Sequence, residues 1–232
     1  MTGVATASEV RVLSSANRFV GATLVDRPRD HRVEGRAVVV NHTRTPVDLG
    51  ERGFVPAFSS TVLVDTTIVR AESVLLFSVT DPDGIAGIVG EPGWHPLSDL
   101  LPGFPADTPL HRGPQDDIGT LTFDPAPVLG GAPGPQRTFR VRVNLWFAPA
   151  GTDCGLHDRH DFIEIHSQVA GRGRMQKFTA RDHAALYEDL LMSPGHTPPV
   201  PFCRTGPDGG FVYPWHQYRA DTDCVWLAVE YH

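Results

Sequence analysis

Residues 155–168 read GLHDRHDFIEIHSQ, and this stretch decides which fold and which site the chain can form. If the chain is a β-strand from residue 160 onwards, alternate side chains point to opposite faces. One face then carries the polar side chains His160, Glu164, His166 and Gln168, and the other carries the apolar Ile163, Ile165 and Val169. A row of polar groups inside a protein is costly unless it is satisfied, and a metal ion satisfies imidazole and carboxylate groups directly. The stretch therefore predicts a metal site on one face of a buried strand.

A further histidine, His157, stands three residues before His160. In a strict strand it would point to the opposite face, but a turn or bulge at Asp158 and Arg159 would return it to the same side. If that bulge is absent, His166 replaces His157 as a ligand. Otherwise His166 is expected to orient a ligand or to carry protons.

A later segment supplies the other half of the expected site. Residues 209–219 read GGFVYPWHQYR, so that a glycine turn leads into an aromatic segment that presents His216. The apolar run CVWLAV at 224–229 follows and is typical of a buried strand. Several ligands near one strand and a single histidine on a later strand can meet inside a β-barrel.

These two segments resemble the motifs of the cupin superfamily. The first cupin motif is G(x)5HxH(x)3–4E(x)6G, whose histidines, glutamate and final glycine match His157, His160, Glu164 and Gly171. His216 matches the histidine of the second motif, G(x)5PxG(x)2H(x)3N. Two residues rather than one separate the first two histidines, and the proline, glycine and asparagine of the second motif are replaced.

The resemblance implies a fold and a cofactor. The fold is a mainly β, cupin-like double-stranded β-helix (jelly-roll) barrel, with extra N-terminal strands and one helix inserted between the two metal motifs. The cofactor is one divalent metal ion per chain, with Fe(II) favoured and Zn, Mn or Ni as alternatives. Its implied ligands are His157, His160, Glu164 and His216. This set leaves one or two open positions for substrate, water or dioxygen.

Other residues are candidates for the walls of the site. Tyr213, Trp215 and Tyr218 flank His216, and the alternative for them is ordinary core packing. We expect Tyr213 and Tyr218 to join His166 as catalytic residues. The expected substrate-binding residues are Arg172, Arg174, Gln168 and Trp215, because an arginine can bind a substrate carboxylate bidentately.

The rest of the chain is rich in short β-branched runs. Strands are predicted near residues 33–40, 61–70, 73–79 and 139–147. Prolines recur from 92 to 135, which predicts a long ordered loop. Residues 180–192, ARDHAALYEDLLM, predict the inserted helix. We expect a single cupin-like domain over 1–232, with an N-terminal β-rich part (1–135) and a part that contains the metal-binding motifs (136–232).

Composition narrows the functional classes. The net charge of −7, without a basic stripe, argues against nucleic-acid binding. No stretch approaches the roughly 18 apolar residues of a membrane span, and the first residues, MTGVATASEVRVL, do not predict a signal peptide. Three cysteines without a CxxC pair favour the cytoplasm. Lys177 is the only lysine, and this arginine bias is typical of a high-GC bacterial genome.

The leading functional hypothesis is an Fe(II), dioxygen-dependent cupin oxygenase that acts on a small molecule. The alternative is a non-redox isomerase, lyase, cyclase or rearrangement enzyme that uses Zn, Mn or Ni as a Lewis acid. A third hypothesis is a non-catalytic ligand-binding cupin, for which a site closed to solvent would be the mark. A homodimer is also expected.

Overall fold

The computed structural model describes residues 8–199 and 202–232. The segment MTGVATASEVRVL, for which no signal peptide is predicted, begins with residues 1–7. These seven residues lie outside the described residues. The described strands are β1 Glu9–Val12, β2 Val20–Asp26, β3 Arg29–Asn41, β4 Val47–Asp48, β5 Phe54–Val55, β6 Ser59–Arg70, β7 Ser73–Val79, β8 His95–Pro96, β9 His111–Phe123, β10 Arg137–Ala148, β11 Ile163–Ala170, β12 Gly173–Phe178, β13 Leu186–Met192, β14 Arg204–Thr205, β15 Phe211–Val212, β16 Trp215–Ala220 and β17 Cys224–Tyr231.

Helices are few and short. Two α-helices span Leu97–Leu100 (α1) and Pro125–Val128 (α2), and 3-10 turns span Gly50–Arg52, Ile85–Gly90 and His183–Ala185. No helix among the described residues is long and apolar enough to cross a membrane. The mainly β fold predicted from the sequence is confirmed.

The described residues form three larger antiparallel sheets and one two-stranded sheet. A seven-stranded sheet has the order β1-β2-β7-β3-β6-β4-β5, a five-stranded sheet the order β11-β17-β10-β9-β8, and a three-stranded sheet the order β13-β12-β16. The main apolar core joins the first two sheets, since it includes Val38 and Phe77 together with Val143 and Leu227. Strands β14 and β15 pair only with each other.

The other face of the five-stranded sheet is polar and lies opposite the three-stranded sheet. Tyr218 of β16 stacks on Trp226 of β17 with ring centroids 3.9 Å apart, so the two sheets face each other. Around this contact the facing side chains include Glu164, His166 and Gln168 of β11. The two sheets form the cupin-like barrel. Its interior can be polar because the opposite, apolar face of β10, β11 and β17 is buried and stabilises the sheet.

The prediction of an inserted helix at 180–192 is wrong. Residues 183–185 form one 3-10 turn, and Leu186–Met192 is strand β13, which pairs with β12. Asp182 does cap a turn, since its side chain accepts a hydrogen bond from the Ala184 N–H. As a strand, the segment buries Met192 completely and satisfies the hydrogen-bonding edge of β12, and these tertiary contacts override the helix propensity.

The prediction of a loop over 92–135 is wrong for its central part. His111–Phe123 is the thirteen-residue strand β9, which pairs with β10 on one side and β8 on the other. Pro114 lies in a bulge, where Gly113 and Pro114 together stand between the pairs Arg112–Trp146 and Gln115–Asn144. Proline is tolerated there because a bulged position does not need its N–H for the ladder. The assignment of 1–232 to one domain, with parts at 1–135 and 136–232, stays a prediction.

The glycine that closes the first cupin-like motif has a clear structural reason. Gly171 has a φ of +70°, and a Cβ at this position would lie 2.0 Å from the carbonyl oxygen of Asp223. The turn therefore needs a glycine both for its backbone conformation and for the close approach of the next chain segment.

We predict that Gly171→Ala destabilises the protein by clearly more than Gly130→Ala. Gly130 also has a positive φ (+76°), but nothing lies within 4 Å of its Cβ position, so this control carries only the backbone cost of about 1–2 kcal/mol. The clash at Gly171 should add on the order of 1–3 kcal/mol. Denaturant unfolding of both variants measures the difference. Equal losses would show that the contact with Asp223 relaxes without cost.

Candidate metal centre

Three histidine side chains meet at one end of the barrel with their Nε2 atoms together. The Nε2 atom of His160 lies 3.0 Å from that of His157 and 3.2 Å from that of His216. One nitrogen from each ring lies within 4.8 Å of the others, and these three histidines form a group that could hold a metal ion. His216 is buried, His160 is partly exposed and His157 is exposed, so the group opens to solvent on one side.

Backbone carbonyls determine which nitrogens face the centre. The Nδ1 atom of His157 is 2.9 Å from the carbonyl oxygen of Gly155, and that of His216 is 2.9 Å from the carbonyl oxygen of Pro214. A carbonyl oxygen only accepts, so in both neutral rings the Nδ1 atom carries the proton and Nε2 carries a lone pair. Two lone pairs therefore point at the same small volume.

The spacing of these nitrogens fits a metal ion. With metal–nitrogen distances of about 2.0–2.1 Å, two ligands are roughly 2.9 Å apart at right angles and roughly 3.4 Å apart in a tetrahedron. The two nitrogen–nitrogen distances, 3.0 and 3.2 Å, lie between these limits. The Nδ1–carbonyl bonds also match the usual way in which a protein orients metal-binding histidines.

Two local features bring His157 beside His216. The N–H of each residue donates to the carbonyl of the other, at 3.1 and 2.8 Å, so the segment before β11 runs along the edge of β16. Four positions separate Asp153 from His157, but only three separate their partners, Arg219 and His216. The extra residue is accommodated near Gly155, whose φ is +91°. The bulge predicted at Asp158 and Arg159 thus lies before His157 instead.

His160 also differs from its predicted position. Strand β11 begins at Ile163, so His160 belongs to the turn before the strand, and the predicted alternation holds only from Ile163 onwards. Tyr213 braces this turn, because its hydroxyl donates to the carbonyl of Phe162 at 2.7 Å and accepts from the N–H of Glu164 at 2.9 Å. The ring of Tyr213 packs on His160 with centroids 4.7 Å apart.

Glu164 lies beside the three histidines and is buried. Its Oε2 is 3.6 Å from the Nε2 of His160, and its Oε1 is 3.1 Å from the Nε2 of His166. Because a carboxylate only accepts, the Nε2 atom of His166 donates to it. The Nδ1 atom of His166 is buried and has no hydrogen-bond partner among the described residues. The structure thus places His157, and not His166, in the group of three, and the role of Glu164 as a ligand stays a prediction.

Burial favours the neutral form of His216 and His160. Desolvation, together with the nearby His157 ring, lowers the pKa of His216 to about 3. Desolvation also lowers the pKa of His160, although Glu164 opposes the shift. Burial alone would raise the pKa of Glu164, but the imidazoles of His166 and His160 outweigh it and hold this pKa well below its usual range. Neutral rings of His216 and His160 beside an ionised Glu164 are the protonation states that bind a metal ion.

The remaining predicted residues lie in different places. Tyr218 is inside the barrel, where its hydroxyl donates to Gln168. Trp215 points to the opposite face of β16 from its neighbour His216, and the Arg181 guanidinium lies over its ring.

The two predicted arginines lie away from the three histidines. Arg174 forms ion pairs with Asp221 and Asp189. It lies opposite Arg219, three positions along β16 from His216, and Arg172 is exposed. The catalytic and substrate-binding roles of all these residues stay predictions.

Two interior residues were missed by the sequence analysis. Lys177 is 3 % exposed and lies directly opposite His216, on the same face of the three-stranded sheet. Glu230 lies directly opposite Glu164 and accepts hydrogen bonds from Asn144 and Gln115. Lys177 is the only lysine of the chain, and this was a sequence signal that its position is special. The apolar run around Glu230 gave no such signal.

The barrel has a cupin-like fold, and its three histidines form a candidate metal centre. No protein-family model and no curated protein match the chain. Similar solved structures include the DMSP lyases RdDddP and RnDddQII, with 21% identity over 40% of this chain and 39% of that chain and a TM-score of 0.29. The ribosomal oxygenase YcfD of Escherichia coli has 17% identity over 40% of this chain and 23% of that chain, with a TM-score of 0.29.

An RmlC-like cupin protein from Desulfovibrio desulfuricans has 16% identity over 39% of this chain and 71% of that chain, with a TM-score of 0.28. The chain thus matches less than half the length of the lyase and oxygenase structures. Such weak and partial similarity carries no information about the reaction.

The low pKa of His216 predicts how the stability of the metal-free protein depends on pH. The folded value of about 3 lies below the ordinary value of 6.5, so between these limits the unfolded chain binds more protons. The free energy of unfolding should therefore fall as the pH drops from 6.5 towards 3, by up to about 1.4 kcal/mol per pH unit for each such group.

Burial also lowers the pKa of His42 to about 4, so this residue makes the free energy of unfolding depend on pH in the same direction. The contribution of His216 is therefore measured as the difference between the wild type and a His216 variant. His216→Gln should reduce the slope measured by urea unfolding between pH 6.5 and 4, whereas His183→Gln, at an exposed position, should leave it unchanged. An unchanged slope in His216→Gln would contradict the assignment of a neutral, desolvated ring.

Proposed function

We propose that this chain is a mononuclear metal-dependent enzyme that acts on a small molecule. The observation that carries the proposal is the meeting of three histidine Nε2 atoms, two of which are turned inwards by Nδ1–carbonyl hydrogen bonds. Without a metal ion, an Nε2–H of His160 can donate to only one of the two lone pairs, on His157 or on His216, and leaves the other without this donor. With a metal ion, each lone pair has a partner.

The proposed ligands are His157, His160, His216 and Glu164. The carboxylate of Glu164 is already within 3.6 Å of the Nε2 atom of His160, and it is buried and ionised. Fe(II) is the favoured ion, with Zn, Mn or Ni as alternatives. A bound divalent ion would act as a Lewis acid, and iron would in addition allow oxidation by dioxygen.

The surrounding residues order the site and control access. The ring of Phe202 packs on both His166 and His216, with centroids 5.4 and 5.2 Å apart, and shields this side from water. The exposed His157 marks the open side, where a substrate can approach. This opening supports catalysis over the third hypothesis, a non-catalytic module with a closed site.

Two reaction classes follow from the same site. We keep an Fe(II), dioxygen-dependent oxygenase as the leading class. The pair of His166 and Glu164 favours the alternative, non-redox class, because it can move a proton. His166 holds one proton at Nε2, and its buried Nδ1, which has no partner among residues 8–199 and 202–232, can accept another. The identity of the bound metal separates the two classes.

The remaining parts of the proposal concern location and partners. A cytoplasmic protein is proposed from its three cysteines, which are buried and unpaired in the structure. The partners proposed are a small-molecule substrate, dioxygen for the oxygenase, and a second copy of the chain. The edge strand β13 supports a dimer, because Leu186, Tyr187 and Leu191 are exposed along it.

Metal analysis of protein purified without a metal-binding tag tests the proposal. We expect about one equivalent of a divalent metal per chain, lost in the double variant His160→Ala, His216→Ala. His183→Ala removes an exposed histidine outside the site and should keep the metal. Iron would support the oxygenase, and zinc, manganese or nickel the non-redox class. A wild-type chain that takes up none of these ions after anaerobic reconstitution would contradict the proposal.

A further inference from the structure

The only lysine of the chain lies in the barrel beside the candidate metal centre. The chain has 20 lysine and arginine residues, and all except Lys177 are arginine. Most charged residues lie at the surface, but Lys177 is 3 % exposed. A lysine presents a compact point charge, whereas an arginine presents a broad planar fork, so the two are not interchangeable in a confined site.

Cross-strand register places Lys177 in one row with two of the proposed ligands. His157 pairs with His216, His216 pairs with Lys177, and Lys177 pairs with Glu188. Directly opposed residues of an antiparallel pair point to the same face, so all four side chains are on the barrel side of the three-stranded sheet. Adjacent strands are about 4.8 Å apart, so a substrate on the metal ion is within reach of the next side chain in the row.

The two side chains of the ion pair that neutralises Lys177 differ in their exposure to solvent. The Nζ atom lies 2.8 Å from Oε1 of Glu188, but the lysine side chain is 4 % exposed, whereas the glutamate side chain is 37 % exposed. A buried ammonium group needs a partner, because an unpaired charge inside a protein is costly. Glu188 can be solvated on the edge strand, so another anion can take its place at little cost.

The opposite wall of the barrel determines where an anion can lie. Glu164 and Glu230 face the interior from the five-stranded sheet, and both are buried. These carboxylates repel a second anion. An anionic group of a substrate is therefore disfavoured beside Glu164 and Glu230, whereas Lys177 on the facing sheet attracts it.

We infer that Lys177 anchors the carboxylate of the substrate, and that Glu188 occupies this position until the substrate binds. The inference rests on the proposed function and narrows it to small carboxylic acids whose reacting group is a few bonds from the carboxylate. Lys177 is a binding residue in this scheme. Neither step changes a covalent bond.

Calorimetric titration with lactate and lactamide tests the inference on zinc-loaded protein. The two probes have nearly the same shape, but only lactate is an anion. We expect lactate to bind at least tenfold more tightly than lactamide. Lys177→Met should lose this preference, whereas Lys177→Arg should keep part of it, and the zinc content of each variant is measured beside the titration.

Glu188→Gln separates an anchor from a merely structural ion pair. If Glu188 competes with the substrate, its neutralisation should strengthen lactate binding several-fold and leave lactamide binding unchanged. A structural pair predicts lower stability and no gain in lactate binding. Equal binding of lactate and lactamide by the zinc-loaded wild type, or equal lactate binding by wild type and Lys177→Met, would overturn the inference. Failure to take up zinc at all would instead contradict the proposed function.

Discussion

The mutual hydrogen bonds between the backbones of His157 and His216 are the constraint on which the rest of the site depends. They bind an otherwise irregular segment to the edge of β16 and place two imidazole rings side by side, with centroids 4.2 Å apart. Carbonyl oxygens beside each Nδ1 atom then turn both Nε2 atoms inwards. His160 arrives from the following turn, and the two hydrogen bonds of the Tyr213 hydroxyl hold that turn in place.

The polar interior is stable because the five-stranded sheet has a second, apolar face. Val143 and Leu227 pack in the same core as Val38 and Phe77 of the N-terminal sheet. That burial supplies the hydrophobic free energy which the polar face does not. The sheet can therefore carry Glu164, His166 and Glu230 towards the barrel without losing its fold. The N-terminal strands thus support the site without contributing to the three histidines.

The resemblance of the histidine spacing to the cupin motifs, together with the alternation in β11, made the fold class and the three-histidine group predictable. The sequence could not show that His160 precedes the strand, because a period of two continues formally into the turn. Residues 186–192 formed a strand where a helix was expected, since pairing with β12 is a long-range contact. Pro114 hid β9 for a related reason: only the bulge opposite β10 makes a proline acceptable there. The interior position of Lys177 likewise follows from the pairing register of β12 and β16, which cannot be derived from a single sequence.

Nitrogen-15 NMR of the histidine side chains in zinc-loaded protein tests the central claim most directly. The structure predicts three histidines coordinated through Nε2, with protonated Nδ1 atoms on His157 and His216. Assignment by single histidine substitutions would identify each ring. Coordination of fewer than these three histidines, or binding through Nδ1 of His157 or His216, would contradict the geometry on which the metal centre rests.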